Sequence, residues 1–214
     1  MGVGWGEAPI LPFVTAEDRP SVLAKAEEAC EFLRKSSGRN LLLVLEEIGR
    51  FLPGHQFASV RARIEMALID AAATSKGIPL WRLFGGASNT ITTDITIPIV
   101  SASEAAELTS KYRTQRFKSL KLKVGKNLHV DIEVLRAIRP AHPDCLFILD
   151  GNEGYTSNEA IEVLEKLHEM DATPILFEQP VHRDDCEGLG QVTAIARDKY
   201  GVSVAADESC RSFN

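Results

Sequence analysis

One lysine and three carboxylates recur in this sequence at a nearly constant interval. Lys123, Asp150, Glu178 and Asp207 are separated by 27, 28 and 29 residues. Each stands at the end of a short apolar run: Leu120 and Leu122 before Lys123, Phe147-Ile148-Leu149 before Asp150, Ile175-Leu176-Phe177 before Glu178, and Val202 to Ala206 before Asp207. A strand, a crossover helix and two short loops use about that many residues. Parallel strands in such a repeat end on one side of the sheet, so the period gathers an amine and three acids at one rim. Three converging carboxylates repel one another unless a divalent cation lies between them. An all-oxygen set suits Mg²⁺, or Mn²⁺, better than zinc.

Lys121-Leu122-Lys123 adds a second amine two residues away. On a strand, both point to the same face. Two ammonium groups so placed are expected to lower each other's pKa, which suits a general base. Taken singly, these residues have plainer readings. The lysines could snorkel from a strand edge. Asp150-Gly151-Asn152 could close a strand as an Asx turn, and Asp207 could cap a helix. The common period is what favours the metal reading. The histidines, His55, His129, His142, His168 and His182, show no HxH or HExxH spacing.

The elements that must position these groups can be read from periodicity. Residues 21–35, 41–51 and 59–75 show helical patterns, the last rich in alanine and stopped by Gly77. Beyond Gly86, strands are expected at 94–100, 119–124, 147–150, 175–178 and 202–207. Helices are expected between them at 103–115, 130–138, 158–170 and 187–200. The strands are continuously apolar, as a covered parallel sheet requires. The fold class is therefore α/β. A boundary near Gly86 divides residues 1–86 from residues 87–214. No GxGxxG or GxxxxGK[ST] loop marks a nucleotide-binding sheet. The acids at successive strand ends favour part of a (β/α)₈ barrel instead. A complete barrel takes about 250 residues, and only five of its strands are represented here.

Composition narrows the classes further. The chain has 214 residues, 44% hydrophobic and 25% charged, with a net charge of −6. That acidity, without a basic stripe, argues against nucleic acid as a partner. No run approaches the roughly 20 apolar residues of a membrane span. Cys30, Cys145, Cys186 and Cys210 form no CxxC pair. A reducing compartment is expected, the cytoplasm in the first instance, with an organelle left open.

These motifs together resemble the enolase superfamily, in particular its muconate-lactonizing subgroup. Lys121-Leu122-Lys123 resembles the subgroup's KxK, Asp150 with Asn152 its DxN, Glu178-Gln179-Pro180 its EQP, and Asp207-Glu208-Ser209 its DES. The helix around Ile64 to Asp70 and the Leu83-Phe84-Gly85-Gly86 segment resemble the end of the family's α+β capping domain. Residues 4–9 resemble that domain's third strand. Residues 92–97 look most like the dipeptide epimerases acting on L-Ala-D/L-Glu and related dipeptides.

The resemblance implies a partial TIM-type barrel of strands 1–5 behind a partial capping domain. It implies Mg²⁺ held by Asp150, Glu178 and Asp207, with Asn152, Gln179 and Glu208 supporting them. It implies that Lys123 takes the proton next to a carboxylate of a small substrate, a dipeptide in the first reading. Lys121 would depress its pKa and help neutralise the enolate that Mg²⁺ stabilises. A homo-oligomer is compatible with the family. Two departures stand out. Arg116 occupies a position where relatives have a glycine. The sixth strand, whose lysine serves the opposite face in epimerases, is not represented, so this chain by itself is expected to be inactive. Two other readings remain: a one-base relative such as o-succinylbenzoate synthase or muconate cycloisomerase, and a non-catalytic truncated isoform.

Overall fold

A computed structural model describes residues 2–11, 14–36 and 40–210. The chain divides into two compact units, Met1–Ile91 and Thr92–Asn214, so the division falls a little beyond Gly86. Among the described residues, no helix is long and apolar enough to cross a membrane.

The first unit is helical. α1 (Arg19–Lys35) opens with a reciprocal cap, in which Asp18 and Ser21 each bond the other's backbone N–H. Asn40 caps α2 (Leu41–Phe51). α3 (Ala58–Ser75) has no capping side chain of its own at Phe57. The buried Glu17 carboxylate supplies that function from a distance, accepting Ser59 N–H at 2.7 Å and Val60 N–H at 2.9 Å. Val22, Ala29, Ile48, Leu52, Val60 and Ile64 form the core between these helices. A single turn, α4 (Leu80–Leu83), follows.

The segment expected as a capping-domain strand pairs with no strand among the described residues. It lies instead against α3, with Gly4 and Gly6 turned inward. A Cβ on Gly6 would sit 1.8 Å from the Arg63 carbonyl, which explains the alternating glycines. Trp5, between them, is 80% exposed. A strand needs a neighbour's N–H and C=O groups to form a ladder, and α3 offers only side chains such as Asp70, which accepts Trp5 N–H at 2.9 Å.

The second unit alternates strictly. Its strands are β1 (Ile95–Ile97), β2 (Ser119–Lys123), β3 (Leu146–Asp150), β4 (Leu176–Glu178) and β5 (Ser203–Ala205). Its helices are α5 (Ala102–Thr114), α6 (Leu128–Ala141), α7 (Ser157–Glu169) and α8 (Cys186–Tyr200). The strands pair in parallel in the order β1-β2-β3-β4-β5. Sequential order with crossovers of one hand winds in one direction, as in a barrel; a doubly wound sheet would reverse its order. Leu120, Leu122, Phe147, Leu149 and Phe177 are fully buried with Ala105, Leu135, Val163, Leu167 and Ala196 of the helices. Alternation then sends Lys121, Lys123, Ile148, Asp150 and Glu178 to the opposite face.

Arg116 occupies a backbone position that favours glycine. It follows the end of α5 at φ +67°, in the left-handed region. Its N–H bonds Arg113 C=O at 2.9 Å, and Phe117 N–H bonds Tyr112 C=O at 3.1 Å. That closing turn normally uses glycine.

Candidate active site

Register places the candidate groups. Lys123 is the Cα partner of Asp150, and Asp150 that of Glu178. Parallel pairing in phase turns a sequence interval into a spatial row. Lys121 Nζ lies 2.9 Å from Asp150 Oδ2 and 2.7 Å from Glu178 Oε2. Lys123 Nζ lies 2.5 Å from Asp150 Oδ2 and 2.8 Å from Asn152 Oδ1. The other Asp150 oxygen accepts Asn152 N–H at 3.1 Å. Lys121, Lys123, Asp150, Asn152 and Glu178 therefore form one connected network.

Its electrostatics depart from the sequence expectation. Burial pulls the Lys121 ammonium down, but hydrogen bonds to Glu178 and Asp150 outweigh it and hold the group above the ordinary lysine range. The expected mutual depression of two lysines is not what governs Lys121, because each ammonium has a carboxylate within hydrogen-bond distance. Asp150 shows the converse. Its complete burial pushes the carboxyl up, while Lys123 and Lys121 pull it further down, below the usual carboxylate range.

Asp207 stands apart from the row. The residue in register with Glu178 is Ala205, and Asp207 lies beyond the end of β5 in an exposed bend. Its backbone N–H donates to Gln179 Oε1 at 2.9 Å. Among the described residues, no group of three or more His, Cys, Asp or Glu side chains is disposed to hold a metal ion. Asp150 and Glu178 nevertheless direct one oxygen each at a shared cationic centre, the Lys121 ammonium. Two anionic oxygens converging on a positive charge are a donor set that fits Mg²⁺ chemically.

Gln179 has no exposed surface and a φ of +34°. Its Oε1 also accepts Ser209 N–H at 3.1 Å, and its Nε2 donates to Val181 C=O and Ser209 Oγ. Glu208 Oε1 accepts from Asn152 Nδ2 at 3.3 Å. Gln179, Glu208 and Ser209 thus tie the segment after β5 to the loops after β3 and β4. His182 remains outside this network, beside Asp184 at 3.7 Å.

Sequence reasoning did not single out Glu153 and Arg183, which clamp the loops after β3 and β4. Glu153 Oε1 accepts Arg183 N–H at 2.7 Å and Nε–H at 2.6 Å, and Oε2 accepts from the guanidinium's Nη2. Asp131 and Tyr155 were likewise not singled out; they bond each other behind the same loops. Asp131 carries the look of an ordinary first-turn acid, and no spacing rule signals that it turns back toward β2.

The profile of the enolase C-terminal domain-like family matches residues 103–214. The chain belongs to that family. Within this enolase-like family it is 74% identical over 211 residues to an L-Ala-D/L-amino acid epimerase from Populus trichocarpa, covering 99% of this chain and 50% of that one. The substrate-liganded L-Ala-D/L-Glu epimerase from Bacillus subtilis superposes with a TM-score of 0.88 at 33% identity, over 96% of this chain and 56% of its own. A dipeptide epimerase from Enterococcus faecalis, complexed with Mg and L-Leu-L-Tyr, superposes with a TM-score of 0.85 at 30% identity, over 97% and 56%. The chain spans about half the length of the curated relatives it matches. The enolase-like assignment accounts for the partial barrel: the five parallel strands correspond to part of the neighbours' fold.

Proposed function

We propose that this chain supplies the proton-abstracting half of a dipeptide epimerase. The observation that carries the reading is Lys123. Its ammonium sits at the rim-side end of β2, held between Asp150 Oδ2 and Asn152 Oδ1 and about one-third exposed. An amine fixed by two acceptors yet open to solvent can meet a substrate C–H. In this reading, the Lys123 ammonium first gives up a proton to solvent, and the resulting neutral amine removes the α-proton of the residue whose carboxylate enters the site. Lys121, one turn of the pleat deeper, offsets negative charge that develops on that carboxylate. Asp150, Glu178 and Asp207 would hold Mg²⁺, which supplies Lewis acidity toward the same carboxylate. Gln179, which accepts the Asp207 backbone N–H, would support Asp207 in that role. The names of the relatives support dipeptides as the substrate class.

Inversion of a stereocentre needs a proton removed on one face and returned on the other. Lys123 serves one face. No lysine follows Lys199 in this sequence, and Lys199 lies on α8 in the helix layer. Residues 1–214 assayed alone are therefore expected not to epimerise.

The test is proton NMR in D₂O with Mg²⁺ and L-Ala-L-Glu or L-Ala-D-Glu, using the longest natural form of the protein that contains this segment. Deuterium should enter at the Glu α-carbon. For the epimer whose α-proton faces Lys123, Lys123→Ala should slow that exchange by roughly 10²–10⁴, the usual value of a general base. Exchange of both epimers in Lys123→Ala at the original rates would rule out the assignment.

A further inference from the structure

One buried carboxylate in the second unit has no part in the network of Lys121, Lys123, Asp150 and Glu178. Asp131, in the first turn of α6, is 5% exposed. Its Oδ2 accepts two hydrogen bonds, from Gly125 N–H at 2.9 Å and from Tyr155 O–H at 2.6 Å. The donors come from different loops. Gly125 is two residues past Lys123, and Tyr155 is five past Asp150. Tyr155 then reaches the loop after β4: its N–H donates to Pro180 C=O at 3.1 Å, and its ring meets Phe177 edge-on at 6.1 Å. One oxygen atom thus joins the segments after β2 and β3, and Tyr155 carries the link on to β4, so the strands that carry Lys123, Asp150 and Glu178 are connected.

The surrounding backbone leaves no slack. A Cβ on Gly154 would lie 2.1 Å from the Gly125 carbonyl, and one on Gly125 would lie 2.3 Å from the Gly151 carbonyl. Val124 N–H bonds Asp150 C=O at 3.0 Å, so the β2 loop rides directly on β3. Burial and the neighbouring Asp131 carboxylate keep the Tyr155 hydroxyl far above the ordinary phenol range, so it stays protonated and able to donate to Asp131. Burying a carboxylate costs desolvation that an apolar side chain would avoid. Two charge-assisted bonds on one oxygen give direction in return.

We propose that Asp131, acting with Tyr155, is a positioning residue that fixes Lys123 Nζ relative to Asp150 and to the substrate's α-carbon. The inference rests on the reading of Lys123 as the base. Asp131 itself touches neither lysine ammonium, whose partners are Asp150, Glu178 and Asn152.

The experiment compares Asp131→Asn and Tyr155→Phe with Leu167→Ala in the longest natural form of the protein, loaded with Mg²⁺. Leu167 is a buried α7 core residue with no bond to the site, and its truncation controls for lost stability. At a temperature where all three are folded by circular dichroism, Asp131→Asn should lower kcat for α-proton exchange by roughly tenfold or more, as small misplacements of reacting groups do. KM should be unchanged, and Tyr155→Phe should fall between Asp131→Asn and the original protein. A second readout needs no turnover. Acylation of Lys123 by acetic anhydride, followed by mass spectrometry against Lys166, should rise severalfold in Asp131→Asn and not in Leu167→Ala. Folded Asp131→Asn with kcat and Lys123 labelling both unchanged would overturn the proposal, as would losses matched by Leu167→Ala. Raised Lys123 labelling in a protein that exchanges no α-proton would uphold the brace and reject Lys123 as the base.

Discussion

Gln179 accepts the backbone N–H of Asp207 on its side-chain Oε1 at 2.9 Å, across the gap between β4 and β5. The backbone of Asp207 is therefore held by the side-chain amide of the residue after β4 and not by its own strand, which ends at Ala205. Replacing Gln179 with Leu leaves the N–H groups of Asp207 and Ser209 and the carbonyl of Val181 without their partner. Stranded buried groups cost about 1–3 kcal/mol each, so a loss of roughly 2–4 kcal/mol is expected in urea unfolding, because some of these groups reach water. If Asp207 helps to hold Mg²⁺ as proposed, Mg²⁺ binding followed by calorimetry should weaken in parallel. A Gln179→Leu protein of unchanged stability would show that the amide is dispensable.

The clamp between Glu153 and Arg183 predicts an acid-side dependence of stability. Hydrogen bonds from Arg183 hold the Glu153 carboxyl below its ordinary range, despite partial burial. A carboxyl with a depressed folded pKa contributes stability above its unfolded pKa, about 4.3, and loses it as pH falls through the lower folded value. Urea midpoints of the original protein and Glu153→Gln should differ most at neutral pH and converge in strong acid. A constant difference across that window would mean that the charge of Glu153 is not the stabilising feature.

Arg116 holds a left-handed backbone that costs an L-residue roughly 1–2 kcal/mol. Glycine adopts it freely but gives up some of that gain as unfolded-state entropy. Arg116→Gly is expected to stabilise the second unit by roughly 0.5–1 kcal/mol, read as a higher melting temperature. A lower melting temperature would indicate that the arginine side chain contributes more than its backbone costs.

Two further glycines should respond in opposite directions. Gly125 has φ +101° and no room for a Cβ beside Gly151. Gly125→Ala should destabilise by about 3 kcal/mol, combining overpacking with backbone strain. Gly190 lies within α8, and a Cβ there would meet nothing within 4 Å. Gly190→Ala should therefore stabilise by about 0.5–1 kcal/mol. Thermal melts of the pair separate steric demand from helix propensity, and equal effects would contradict both assignments.

Much of the fold was legible because its signals are local. Caps at Asp18, Asn40, Ser101 and Thr156 start helices close to where periodicity places them. The expected strand at 94–100 shortens to Ile95–Ile97, and that at 202–207 to Ser203–Ala205, because apolar runs extend past the residues that share ladder bonds. Lys121, Lys123, Asp150 and Glu178 were legible for a related reason. Strand alternation fixes the face, and a constant βα interval fixes the register.

What the sequence determined by itself was the strict strand-helix alternation and the ionisable residues that end β2, β3 and β4, since each follows from the pattern along the chain. Only the tertiary structure decided which groups meet. It set Ala205 and not Asp207 opposite Glu178, placed both carboxylates on Lys121 so that its proton is held more tightly, and brought Asp131 to Gly125 and Tyr155. Those outcomes depend on side-chain reach and burial between segments tens of residues apart, and distance along the chain carries no information about the angle at which a carboxylate arrives.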